Sequence, residues 1–128
     1  MLITNFMYCE NVREESGKPV IINPLLMLVP YSVPSNYSFF VTVGIHDLPK
    51  KGVDIEFTFK DLNDMKLMES SFNIPPVKDM PEKEKAAVQI NVGFQNLLLK
   101  EVGIYKTVIN VPGVLNQEFP IEVIPNVK

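Results

Sequence analysis

Apolar and polar residues alternate with a period of two over much of this chain. Residues 53–60 are the clearest case, since V, I, F and F stand at every second position. Alternate side chains of a β-strand point to opposite faces, so the pattern predicts strands with one buried and one solvated face. The same alternation appears at residues 86–95, 105–111 and 119–123, and more weakly at 68–74.

Two further segments are apolar at nearly every position. Residues 20–29 read VIINPLLMLV and residues 39–45 read FFVTVGI. Strands covered on both faces have this composition, as do strands whose outer face meets a partner. Pro24 removes a backbone donor from the first run, which predicts an edge strand or a bulge there. Residues 2–9 are also β-like.

The segments between these runs predict the fold class. Polar, proline-rich or glycine-containing stretches separate the runs at intervals that suit short strands. Residues 79–87 could make one helical turn, but their charges favour a solvated loop. With no repeat and no linker, we expect one domain over residues 1–128. The pattern predicts an all-β, two-sheet sandwich of about eight strands with little or no helix, and a barrel is the alternative.

Residues Glu101, Gly103 and Tyr105 form an acidic-x-Gly-x-Tyr run. It resembles the run that opens strand F of immunoglobulin-like domains. The resemblance implies an immunoglobulin-like sandwich with a tyrosine corner, in which the Tyr105 hydroxyl bonds to the backbone a few residues upstream and Gly103 makes a turn. Thr107 stands where antibody domains have their second cysteine, and the chain has no tryptophan, so the likeness is architectural.

The pattern as a whole is similar to a group of small uncharacterised bacterial and prophage proteins. An N-terminal strand, a Gly-x-Tyr strand and a final strand with Pro120, Ile121 and Val123 define this likeness. It implies an immunoglobulin-like sandwich of unassigned function and transfers no functional residue.

Charge and cysteine content narrow the partners and the compartment. The net charge is −3, and Arg13 is the only arginine among 12 basic residues. A shortage of the guanidinium forks that bind phosphates and guanine edges argues against nucleic-acid binding. Cys9 is the only cysteine, which fits a reducing compartment. No signal peptide or membrane span is recognisable, so we expect a cytoplasmic protein that does not contact membranes.

Few residues suggest chemistry. His46 could act as a base with Asp47 or Asp54, but no nucleophile motif accompanies it, and a polar strand-end role is the simpler interpretation. One histidine and one cysteine cannot supply a usual zinc site. Cys9 is better interpreted as a small apolar filler than as a reactive thiolate.

The acidic segment KDLND, with Asp61, Asn63 and Asp64, superficially resembles a calcium loop. It lacks the spaced acidic pattern and its glycine, so a hairpin turn is favoured. We therefore predict no catalytic, cofactor-binding or metal-binding residue, and no enzyme.

The loop after the first apolar run is the best candidate for partner binding. Tyr31 and Val33 lie between Pro30 and Pro34, and Tyr37 follows. Tyrosine is enriched at interface hot spots, and proline lowers the entropy lost on docking. The alternative, that these side chains close the end of the core, is equally favoured. Leu98, within a run of three leucines, is a further candidate.

Two functions follow from these predictions. The first is a non-enzymatic protein-binding module, acting as an accessory or regulatory protein of a bacterial mobile element. The second is a self-assembling virion or assembly subunit, a homo-oligomer joined through the apolar strands at residues 20–29 and 39–45.

Overall fold

The computed structural model describes residues 1–76 and 87–126, and these residues form nine β-strands and no helix. The strands are β1 (Leu2–Glu15), β2 (Lys18–Leu25), β3 (Met27–Leu28), β4 (Ser35–His46), β5 (Val53–Lys60), β6 (Lys66–Ile74), β7 (Ala87–Leu99), β8 (Gly103–Val111) and β9 (Leu115–Val123). Of the segment predicted to be a solvated loop, residues 79–86 lie outside the described residues.

The strands form two sheets that enclose the core between them. The first sheet has the strand order β2-β1-β4-β7, and the second has the order β3-β9-β8-β5-β6. Neighbouring strands are antiparallel, except that β3 runs parallel to β9. The predicted all-β, two-sheet sandwich is confirmed, with nine strands in the described residues instead of about eight.

The additional strand arises from the apolar run at residues 20–29. The run divides at Leu26, which is 90% exposed. The residues before Leu26 form β2 in the first sheet, and those after it form β3 in the second sheet. Pro24 lies in β2, which is an edge strand of the first sheet, as its missing N–H predicted.

The core is built from the apolar faces that alternation identified. Side chains of β5 at every second position from Ile55 to Phe59 are fully buried, as are those of Tyr105 and Ile109 on β8. The opposing sheet contributes the inward faces of β4 and β7. Because side chains in these strands point alternately to the two faces of a sheet, alternation was sufficient to identify most inward positions.

The second apolar run, at residues 39–45, lies in a central strand of the first sheet. It lies in β4, which pairs with β1 on one side and β7 on the other. The inward side chains of Phe39, Val41, Val43 and Ile45 are at most 1% exposed, because they form the core. These four side chains are therefore not exposed, and self-association through the outward face of the run stays a prediction.

Candidate functional site

One end of the sandwich gathers three connections between strands. There β3, β5 and β7 end, and residues 29–34, 61–65 and 100–102 lead into β4, β6 and β8. Tyr105 lies at this end, close to the start of β8. We call it the corner end. The opposite end includes the start of β1, which pairs with the last residue of β4, and the turn between β8 and β9.

Tyr105 ties the connection before β8 to the core. Its hydroxyl donates a hydrogen bond of 2.7 Å to the carbonyl oxygen of Glu101, and its ring stacks on Phe59 with 5.8 Å between centroids. This is the contact that a tyrosine corner requires. Gly103, between the two bonded residues, has a φ of +144°, which is rarely open to other residues. Burial raises the pKa of the Tyr105 hydroxyl.

Asp61 organises the turn between β5 and β6. Its Oδ1 accepts hydrogen bonds from the backbone N–H groups of Asn63, at 2.8 Å, and Met65, at 2.9 Å. A short polar side chain that bonds to the following backbone stabilises such turns. The carboxylate therefore holds a hairpin turn together, and the turn presents Leu62 and Met65 outward.

An ion pair links this turn to β8 of the same sheet. The Lys106 ammonium lies 2.7 Å from an oxygen of Asp64 and 3.3 Å from an oxygen of Glu118. The hydrogen bond from Lys106 lowers the pKa of Asp64, and the two carboxylates raise the pKa of Lys106. Since all three groups reach solvent, the pair contributes little to stability and mainly orients the turn.

Exposed apolar side chains are concentrated at the corner end. Of the twelve large hydrophobic residues exposed in the described part of the chain, seven lie there: Val29, Tyr31, Leu62, Met65, Leu98, Val102 and Ile104. Leu62, Met65 and Leu98 line a single open cavity of about 270 Å³, with the Tyr105 ring at its wall. We call these seven residues the corner-end patch.

The four residues predicted to bind a partner all lie at this end, but their environments differ. Tyr31 is 92% exposed and Leu98 is 44% exposed. Val33 and Tyr37 are half-buried and pack against the core. The two interpretations of the proline-framed loop therefore each describe part of it: Tyr31 faces solvent, whereas Val33 closes the core.

Leu62, Met65 and Val102 were not identified from the sequence. Leu62 and Met65 lie within a polar turn, DLNDM, which pattern analysis treats as a loop. An apolar side chain in a turn of two to five residues lies too far from the core to be buried there. Apolar residues in such a short turn could therefore have been predicted to be exposed.

The charges around the cavity are balanced. Two acidic residues, Asp61 and Glu101, and two basic residues, Lys66 and Lys100, line it. With no dominant sign of charge, attraction to this surface depends on apolar contact and shape more than on long-range electrostatics.

The remaining candidates lie away from the corner end. His46 is exposed at the far end of β4. Cys9 is fully buried, and burial raises the pKa of its thiol, which disfavours the reactive thiolate. Residues 1–76 and 87–126 hold no group of three or more metal-binding side chains. Among the same residues, no helix could cross a membrane.

Comparison with known proteins places the chain in a family. A model of a family of unknown function (DUF6941) matches residues 4–124. The chain belongs to this family. No curated protein matches the DUF6941 chain in sequence.

One solved structure that aligns with this DUF6941 chain is a β-glucosidase from Erythrobacter marinus. The identity is 13% and the TM-score is 0.43, and the alignment covers 94% of this chain. The chain spans only 15% of the length of that protein.

Proposed function

We propose that this chain is a non-enzymatic protein-binding module that docks a partner on its corner-end patch. The observation that supports this most is the unequal distribution of exposed apolar side chains, seven of twelve of which lie at one end. Three of these side chains, Leu62, Met65 and Leu98, line one cavity, and clustered exposed apolar side chains often mark interaction sites. An accessory role for a bacterial mobile element, in the cytoplasm, remains a prediction of the sequence.

The rigidity of the corner end supports the same proposal. The Tyr105 hydroxyl and the Asp61 carboxylate fix the two turns that frame the cavity. A preformed surface loses less conformational entropy on binding than a mobile one. The cavity that Leu62, Met65 and Leu98 line is therefore suited to accept one apolar side chain of a partner.

An immunoglobulin-like fold is part of the proposal. In that family, strands A, B and E are neighbours in one sheet, and C, F and G are neighbours in the other. The order β1-β4-β7 matches the first set, and β5-β8-β9 matches the second. The hydrogen bond of Tyr105 to Glu101, at the start of the strand that corresponds to F, supports this correspondence.

A matched pair of double variants tests the binding surface. Met65→Glu with Val102→Glu places two charges on the corner end, where these side chains are 63% and 52% exposed. Leu2→Glu with Val114→Glu places the same charges at the opposite end, where exposure is 54% and 53%. The tagged wild type and both variants are used to capture proteins from a bacterial lysate, and retained proteins are identified by mass spectrometry.

We expect the wild type and the opposite-end variant to retain the same partner in stoichiometric amount, and the corner-end variant to lose it. Thermal unfolding of all three proteins establishes that each is folded. Equal retention by both variants, or loss with the opposite-end variant alone, would show that the corner end is not the binding surface.

A further inference from the structure

The outer edge of β7 is an open row of backbone donors and acceptors. Within residues 1–76 and 87–126, β7 pairs with β4 on one side and with no strand on the other. From Ala87 to Phe94, its pairing with β4 runs without irregularity. A regular edge of this length is a ready template for another strand.

The side chains of β7 do nothing to block such pairing. The strand reads AVQINVGFQNLLL and contains neither a charged residue nor a proline. Edge strands of monomeric proteins usually carry charges, prolines or bulges that prevent edge-to-edge association. The irregularity of β7 lies near Asn96, whose φ is +56°, so the eight residues Ala87–Phe94 carry none of these devices.

The other open edges of the described residues do carry such devices. Edge strand β2 has Pro19 and Pro24, and edge strand β6 has Lys66 and Glu69. The first half of β1 has a register shift around Asn5, whose φ is +54°. Edge strand β3 is only two residues long, and the exposed part of β9 beyond it contains Pro120. The contrast singles out the Ala87–Phe94 stretch of β7.

The outward face of β7 is polar, flat and held in place. Thr42 donates a hydrogen bond of 2.6 Å to Asn91 and accepts one of 2.8 Å from Gln89. The ring of Phe40 covers Gly93, where a Cβ would lie 3.0 Å from a ring carbon. These contacts fix amide side chains along the edge, and amides can hydrogen-bond to the same groups of a second strand.

We propose that the outer edge of β7 binds the β7 strand of a second copy of this chain, in antiparallel register about a two-fold axis at Asn91. A two-fold axis at Asn91 places this residue opposite its own counterpart and each residue 91 + n opposite 91 − n, so a charge at the axis would face a like charge. The uncharged stretch Ala87–Phe94 meets no such repulsion. The axis at Asn91 uses the whole regular stretch and keeps the inward side chains Ile90 and Val92 on one face.

The paired sheets would then form one continuous sheet of eight strands. Of the corner-end patch, only Leu98 lies on β7, and it lies beyond the Ala87–Phe94 stretch. Because that stretch contains no residue of the patch, this dimer does not depend on the partner proposed above. Binding of a heterologous partner and pairing of β7 can therefore be tested separately.

Charge reversal at the axis tests the proposal. We expect the wild type to sediment as a dimer, and Asn91→Lys and Asn91→Glu each to sediment at the 14.5 kDa of one chain. Mixing the two variants should restore a dimer, because Lys and Glu then face each other across the axis. Gln117→Lys, on the exposed part of β9, is the matched control and should remain dimeric.

Three results would overturn the proposal: a wild type that remains monomeric over the concentration series, variants that dimerise as well as the wild type, or a mixture of the two charged variants that stays monomeric. Asn91 also accepts a bond from Thr42, so circular dichroism must show that its variants are folded.

Discussion

The hydroxyl of Tyr8 on β1 lies 2.7 Å from the hydroxyl of Thr107 on β8, so this pair joins the two sheets through the core. The Tyr8 hydroxyl also donates to the carbonyl oxygen of Phe119 on β9 at 2.6 Å. Because a hydroxyl has one hydrogen, Thr107 must be the donor to Tyr8. Both buried hydroxyls are thereby satisfied.

Tyr8→Phe should destabilise the fold by about 1 to 3 kcal/mol, because it leaves the buried Thr107 hydroxyl and the Phe119 carbonyl without their partner. Urea unfolding of the variant and the wild type measures the difference. Tyr31→Phe removes a hydroxyl that is fully solvated on a side chain 92% exposed, and it should leave stability unchanged. Equal midpoints for Tyr8→Phe and Tyr31→Phe would refute the role of the inter-sheet bond.

Tyr105→Phe should also cost about 1 to 3 kcal/mol, because the Glu101 carbonyl loses its hydrogen bond at the corner. The ring remains stacked on Phe59, so the core should keep its packing. Thermal unfolding measures the loss, again with Tyr31→Phe as the control. An unchanged melting curve would show that the hydroxyl does not stabilise the connection between β7 and β8.

Gly52 and Gly17 provide a matched test of backbone crowding. Both have left-handed φ angles, +82° and +75°. A Cβ at Gly52 would lie 2.6 Å from the carbonyl oxygen of Ile74, whereas a Cβ at Gly17 would meet nothing within 4 Å. Gly17→Ala should therefore cost about 1 kcal/mol for the conformation alone. Gly52→Ala should cost about 1 to 3 kcal/mol more, through the clash.

Denaturant unfolding of the two glycine variants measures this difference in stability. Similar losses for both would mean that residues 52 and 74 can separate without cost, contrary to the close approach of their backbones.

Single substitutions of Val33 and Tyr31 should have different effects on the stability of the fold. Val33 packs against the core, so Val33→Ser should lower stability by about 1 to 3 kcal/mol by placing a hydroxyl in an apolar environment. Tyr31→Ala should leave stability unchanged, because its side chain is 92% exposed. Thermal unfolding of each single variant distinguishes the two roles. If Val33→Ser leaves the stability unchanged, Val33 is a surface residue that does not close the core.

The protein should lose stability in alkaline solution above about pH 10. Burial raises the pKa of Tyr8 in the folded state above its ordinary value of 10.0, so the folded protein keeps a proton that the unfolded chain releases. Stability is therefore unaffected below that pH and falls as pH rises toward the folded-state pKa, by up to about 1.4 kcal/mol per pH unit for one proton.

Urea unfolding between neutral and strongly alkaline pH, compared for the wild type and Tyr8→Phe, measures this dependence. The variant should show a shallower decline, although Tyr37 and Tyr105, whose pKa values are also raised by burial, keep part of it. Identical slopes would show that Tyr8 does not titrate differently in the two states.

The sequence by itself determined the all-β class, the inward face of most strands and the Tyr105 corner. These are local properties: a period of two assigns each side chain to a face, and Tyr105 and Glu101 are four residues apart. The position of Pro24 on an edge strand also followed locally, because proline lacks the N–H that a central strand must donate.

Only the tertiary structure decided the features that depend on which strands are neighbours. The apolar run at residues 20–29 changes sheets at Leu26, and the equally apolar run at 39–45 is central, although local composition treats the two alike. Leu62 and Met65 line one cavity together with Leu98, which lies more than thirty positions away along the chain. The open edge of β7 is likewise a property of strand order, because β7 contains no residue that marks an edge as Pro24 does in β2, and its lack of a second neighbour follows from the pairing of the described strands.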